Sequence, residues 1–96
     1  MSFEVIVEKR ALADIQQAID YYNIQQKGLG KKFEKELDIN FERLEKLPYF
    51  QRRYGNVRCL PLKKFPFMIH FTVDENLYKI AIHAILHTSL NPVKWP

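Results

Sequence analysis

The sequence predicts an α+β domain of order β-α-α-β-β-β, with an N-terminal helical hairpin packed on one face of an antiparallel sheet. Three observations carry that expectation. Apolar residues recur at three- and four-residue spacing in two segments before Pro48. They alternate with polar ones in the segments after Asn56. Glycine or proline marks most of the junctions.

Taken in order, Phe3, Val5 and Val7 alternate with Glu4, Ile6 and Glu8, a short strand. Ala11, Leu12, Ile15, Ala18, Ile19 and Tyr22 then form the apolar stripe of a first helix. Gly28 and Gly30 interrupt it, and Gly28 suits a left-handed C-terminal cap. A second stripe, Phe33, Leu37, Phe41, Leu44 and Leu47, runs to Pro48, which stops it. Off that stripe, Glu34, Glu36, Asp38, Glu42 and Glu45 are interleaved with Lys31, Lys32, Lys35, Arg43 and Lys46, the pattern of solvated helix faces. Val57 to Leu60 is a short strand ended by Pro61. Phe65, Phe67, Ile69, Phe71 and Val73 mark one face of the next strand, with Met68, His70 and Thr72 on the other. Asp74-Glu75-Asn76 is a turn. Tyr78, Ile80, Ile82, Ala84 and Leu86 then share one face of the last strand, and Lys79, Ala81, His83, Ile85 and His87 the other.

A length of 96 residues fits one domain spanning residues 1–96. Hydrophobic residues make up 47% and charged ones 27%, which excludes a disordered or membrane-embedded chain. The one cysteine, Cys59, allows no intramolecular disulfide and fits a reducing compartment. No apolar run reaches signal-peptide or membrane-span length, so a cytoplasmic protein without membrane contact is expected.

Charge is unevenly spread along the chain. Residues 1–45 hold seven Lys/Arg and nine Asp/Glu, whereas residues 46–96 hold eight Lys/Arg and two Asp/Glu. From Lys46 to Lys64 there are six cations and no acid, which points to an anionic partner: nucleic acid or an acidic protein segment.

Phosphate loops, zinc-type cysteine pairs and serine elbows are absent, so neither a cofactor nor a metal is expected. His83 and His87 are spaced as in a helical metal pair, yet on a strand that spacing is roughly 13 Å. What remains is a set on the open sheet face and its rim: Arg58, Lys63, Lys64, His70, His83 and His87, with Tyr49, Tyr54 and Trp95 nearby. Cations among aromatic rings can hold a phosphate backbone. Histidine and lysine can serve as general acid and base on a ribose hydroxyl, with arginine steadying the phosphorane. Equally, the rings can be core and the cations can meet an acidic peptide.

Ala13-Asp14-Ile15, Tyr21-Tyr22, Gly28-Leu29-Gly30 before Phe33, Leu44 with Leu47-Pro48, Arg58, Lys64-Phe65-Pro66-Phe67, and His87 through Pro92 to Trp95 occur in order. Together they resemble the RelE/ParE superfamily of bacterial toxins, closest to the ParE-like plasmid-stabilisation branch, over nearly the whole chain. The resemblance implies the same β-α-α-β-β-β fold and the toxin of a type II toxin–antitoxin system, neutralised by the acidic C-terminal segment of a cognate antitoxin. ParE-type members poison DNA gyrase, whereas RelE-type members cleave messenger RNA on the ribosome. Where many relatives carry arginine, this chain has Met68 and Leu90. Losing both cations removes charge stabilisation that RNA cleavage needs. The reading is therefore a gyrase-directed toxin that acts by binding, with Arg58, Lys63, Lys64, His87 and Trp95 as target or antitoxin contacts. A ribosome-dependent ribonuclease using Arg58, Lys64, His83 and His87 is the alternative, and a non-toxic relative that only binds antitoxin is the third.

Overall fold

The computed structural model describes residues 2–90. Strand β1 (Glu4–Val7) leads into helices α1 (Lys9–Gln25) and α2 (Leu29–Lys46), followed by β2 (Arg52–Tyr54), β3 (Val57–Pro61), β4 (Phe67–Asp74) and β5 (Lys79–His87). One five-stranded sheet results, in the order β1-β5-β4-β3-β2. The α+β class and the helical hairpin on one face are as expected. Trp95 lies outside the described residues, as do Pro92 and the rest of the last six.

Two features of the sheet depart from the sequence reading. First, β2 is an additional strand. Arg52-Arg53-Tyr54 has no apolar alternation, but Tyr54 pairs with Val57 across Gly55-Asn56, a two-residue connection in which Gly55 has φ 50°. Charge along an edge strand discourages pairing with other sheets, so lack of alternation is what such a position selects. Second, the sheet is mixed rather than antiparallel, because β1 runs parallel to β5 from Glu4↔Lys79 to Val7↔Ile82. Parallel pairing requires a long crossover, and the helical hairpin begins the connection that provides it.

A bulge sets the faces of β5. His70 pairs with Ala84 and Phe71 with Ile82, leaving His83 as the extra residue. Strict alternation puts Ile85 and His87 beside His83. Instead the parity reverses at the bulge: Ile85 pairs with Ile69 and joins the core, while Ala84 and Leu86 pair with His70 and Met68 on the opposite face.

The core lies between the helices and the sheet. Ala11 and Ala18 of α1 and Phe33, Leu37 and Leu44 of α2 meet Leu60, Ile69, Phe71, Ile80, Ile82 and Ile85. Alanine at the contact positions of α1 lets the helix sit close to the strands. Leu12 and Leu47, assigned to apolar stripes by spacing, are instead 55% and 68% exposed. Leu47 falls on the cap of α2, where the helical phase ends.

The hairpin is closed by two glycines with different duties. Gly28 adopts φ 86°, the left-handed conformation that favours glycine, at the N-cap of α2. A Cβ on Gly30 would fall 2.6 Å from the Ile19 carbonyl oxygen and 2.7 Å from Asn23 Oδ1. Gly30 thus permits the close crossing of α1 and α2, and its N–H donates to Asn23 Oδ1 at 2.9 Å.

Asp14 ties α1 to β5 beyond the reach of β1. Pairing between β1 and β5 stops at Ile82, and further along β5 the Ile85 N–H donates to the Asp14 carboxylate at 3.1 Å. Arg10 lies 3.7 Å from the same oxygen. Asp14→Ala leaves a part-buried amide without an acceptor, at an expected cost of about 2 kcal/mol. Urea denaturation measures that loss, and amide exchange at Ile85 should accelerate along with it.

Candidate functional site

The candidate residues divide among five places. Arg58 is fixed on β3, where its guanidinium donates to the Phe50 carbonyl at 2.8 Å and lies 5.4 Å from the centre of the Tyr49 ring. It anchors the segment between α2 and β2 while covering an exposed aromatic face.

His83 stands on the sheet face away from the helices. Its Nδ1 is 2.6 Å from Glu8 Oε1 and its Nε2 is 2.8 Å from Thr72 Oγ1. The order carboxylate, imidazole, hydroxyl resembles a nucleophilic triad. Thr72, however, lies within β4 opposite Ala81, where the ladder occupies neighbouring amides and leaves no paired N–H groups for an oxyanion. The contacts bind the start of α1 to the middle of the sheet.

His87 ends β5. Its Nδ1 accepts hydrogen bonds from the Ser89 amide at 3.1 Å and the Ser89 hydroxyl at 2.7 Å, and its ring packs edge-on against Phe67. The bulge places it on the helix side of the sheet, away from His83.

His70 is fully buried. The Tyr54 hydroxyl lies 3.1 Å from its Nδ1 and Cys59 Sγ lies 3.5 Å from the same atom. Burial, with Arg10, Arg53 and His83 adding positive charge, pushes its pKa down to about 4. Burial likewise raises the Cys59 thiol and the Tyr54 phenol. His70 is therefore a neutral interior group rather than a proton shuttle. No cluster of three or more metal-ligating side chains occurs among the described residues.

Lys63 and Lys64 lie in the β3–β4 connection beside α2, on the wall of a groove of about 830 Å³. Lys32, Lys35 and Arg43 of α2 contribute to the same groove. Arg43 is braced by a 3.0 Å bond to Asn40 Oδ1 and by the Phe50 ring. Glu36, expected on a solvated face, is 9% exposed and lines the groove. Both of its carboxylate oxygens lie 3.2 Å from the Lys64 amide, which donates to them. That bond supplies an acceptor to the connection and explains the burial of an acid amid cations. Sequence spacing missed Lys32, Lys35 and Arg43 because they read as an ordinary charged helix surface. Their meaning depends on the loop that folds back beside them.

Met68 is 8% exposed and pairs with Leu86 on the face opposite the helices. An apolar side chain suits those surroundings.

A helical hairpin over a five-stranded mixed sheet, with a basic groove beside the second helix, defines a class of fold: a small two-layer α+β domain. A chain of the chromosomal ParDE toxin–antitoxin system from P. aeruginosa has this fold, with a TM-score of 0.79 at 20% identity, over 92% of this chain and 98% of the other. A chain of the RelBE2 toxin–antitoxin complex of Mycobacterium tuberculosis aligns with a TM-score of 0.64 at 12% identity, over 91% of this chain and 99% of the other. The particular family follows from the sequence itself. Residues 5–92 match the ParE toxin of type II toxin–antitoxin systems, parDE, and the chain belongs to that family. No curated protein matches it at a significant level.

Proposed function

We propose that this ParE-family toxin arrests growth in the cytoplasm by poisoning DNA gyrase, and that the acidic C-terminal segment of a cognate antitoxin neutralises it. One observation carries the choice against ribonuclease activity. Arg58, Lys64, His83 and His87, the groups a ribonuclease of this class would use, are dispersed. Arg58 is spent on Phe50 and Tyr49, His83 on Glu8 and Thr72, and His87 on Ser89 and Phe67. His83 and His87 face opposite sides of the sheet, so they cannot flank one ribose as acid and base. Met68, packed beside Leu86, removes a further cation from that surface.

In this reading the surface works by binding. Lys63 and Lys64 supply charge for antitoxin recognition, Arg58 contributes to target or antitoxin contacts by holding the Tyr49–Phe50 segment in place, and His87 and Trp95 shape the C-terminal end. Expression of the chain without antitoxin tests the proposal. The DNA-damage response should rise before translation falls. Early translation arrest, with transcripts cut inside codons, would establish the ribonuclease instead. Unimpaired growth at high expression would establish a non-toxic relative.

A further inference from the structure

We infer that the exposed patch of Leu47, Tyr49, Leu77 and Tyr78 around Phe3 is a self-association surface, through which two copies of this chain form a weak twofold dimer. The patch is separate from the basic groove, which runs along α2 from Leu29 to Arg43 and ends before Leu47. It involves neither antitoxin nor gyrase, so it stands apart from the toxin reading.

Three chain segments build the patch, and backbone bonds tie them together. The Phe3 amide donates to the Glu45 carbonyl at 2.8 Å, and the Glu4 amide to the Tyr78 carbonyl at 2.8 Å. Phe3 is thereby held between the end of α2 and the β4–β5 turn. Its buried ring lies 6.1 Å from that of Tyr49 and 5.5 Å from that of Tyr78. The two tyrosines cover Phe3 and themselves stay 51% and 44% exposed. Leu47 stands two residues before Tyr49, and Leu77, beside Tyr78 in the chain, is 63% exposed.

Tyr78 adds a backbone observation. Its φ of 52° is the one positive value among the described non-glycine residues. A bulky side chain is disfavoured there, and glycine or asparagine costs less. The turn itself does not need the ring, because Asp74 Oδ1 accepts from the Asn76 and Leu77 amides at 3.0 Å. Backbone strain is thus spent on holding a ring that meets Phe3 on one side and water on the other.

Area and charge select the partner. At roughly 200 Å² for a fully exposed large side chain, the four leave about 400 Å² of mostly apolar surface in one place. Set against its own copy, the patch buries about 800 Å² over both chains, and a polar rim brings that to about 1,200 Å², the low end for a specific interface. A dimer of that size is weak rather than obligate. Glu4 and Lys79, paired at 3.9 Å, and Glu45 and Lys46 border the patch, two charges of each sign. Arg58 is committed to the Phe50 carbonyl and the Tyr49 ring. Balanced charge offers little attraction to a polyanion, whereas a twofold axis lets each acid meet a base of the other copy.

Sedimentation velocity of the purified full chain, from about 1 µM to about 500 µM, should show monomer passing to dimer with a dissociation constant of roughly 50 µM. No larger species should appear, since a twofold contact closes on itself. Leu47→Ser combined with Tyr49→Ser should weaken association at least about 10-fold. Tyr78→Gly separates association from folding. Dimerisation should fall about 10-fold while the urea midpoint moves little, because relief of the strained φ offsets the lost contact with Phe3. Ile24→Ser, at an 83% exposed position on α1, should leave the constant unchanged. Circular dichroism confirms that each variant remains folded.

A chain that stays monomeric throughout would overturn the inference, as would association unaltered by the double variant or by Tyr78→Gly. A single-stranded DNA oligonucleotide whose binding is lost in the double variant would assign the patch to nucleic acid and overturn it too. Dimerisation as described in a chain that leaves growth unimpaired would refute the toxin reading alone.

Discussion

Replacing Phe33 with alanine is expected to cost about 4 kcal/mol, a large share of the roughly 5–15 kcal/mol that holds a domain of this size together. Phe33 is fully buried. Its ring meets those of Tyr22, Phe65 and Phe67 at centroid distances of 5.5, 5.2 and 5.3 Å, the last two nearly edge-to-face. Truncation removes the transfer energy of the ring and leaves a cavity that three other rings cannot collapse to fill. The effect reaches the groove as well. Phe65 follows Lys63 and Lys64 directly, so losing the Phe33 contact frees the connection that carries both lysines. Urea denaturation should show the drop, and Phe33→Leu, which fills much of the space, should recover more than half of it. A loss under about 1 kcal/mol would mean that the four-ring cluster does not pack as described.

Acid should weaken the fold before carboxylates begin to titrate, because of His70. The folded-state pKa, about 4, lies below the ordinary value of 6.5. Above pH 6.5 neither folded nor unfolded chain protonates this ring, and stability is independent of it. Between pH 6.5 and about 4 the unfolded chain takes up a proton that the native chain refuses. Stability therefore falls as pH falls, by up to about 1.4 kcal/mol per unit and roughly 3 kcal/mol in all. The physical cause is burial first, then the positive charges of Arg10, Arg53 and His83. His70→Gln, which keeps a polar group near Tyr54, should flatten the slope between pH 6.5 and 5.5 relative to the natural chain. An unchanged slope in that variant would assign the acid sensitivity elsewhere.

Much of the architecture was legible in the residues because amphipathic periods are strong where one face is buried. The stripe of α2 and the apolar positions of β4 both followed from spacing. What spacing could not give were features set by tertiary geometry. The bulge at His83 moves Ile85 and His87 to the other face of β5, and nothing in an alternating run announces it. The strand Arg52-Arg53-Tyr54 lacks alternation because edge strands do not need it, although Gly55-Asn56 between Tyr54 and Val57 was a usable hairpin signal. The direction of β1 is equally hidden, since alternation defines a strand without orienting it.

The candidate site was legible in part, for the same reason. A basic run from Lys46 to Lys64 was evident, but it enters the fold as separate pieces. Arg58 turns inward to Phe50, while Lys63 and Lys64 join cations from α2 that come earlier in the chain. Glu36 shows the limit most clearly. By composition it is one acid among several on a helix, and only its bond to the Lys64 amide distinguishes it from Glu34 or Glu42.

The most direct test of the central claim is a plasmid cleavage assay with purified gyrase, ATP and the antitoxin-free chain. Poisoning of the enzyme predicts accumulation of linear plasmid after protein denaturation, in proportion to added toxin and suppressed by equimolar antitoxin. Supercoiling that proceeds unchanged, with no cleaved DNA trapped at any toxin concentration, would contradict the account.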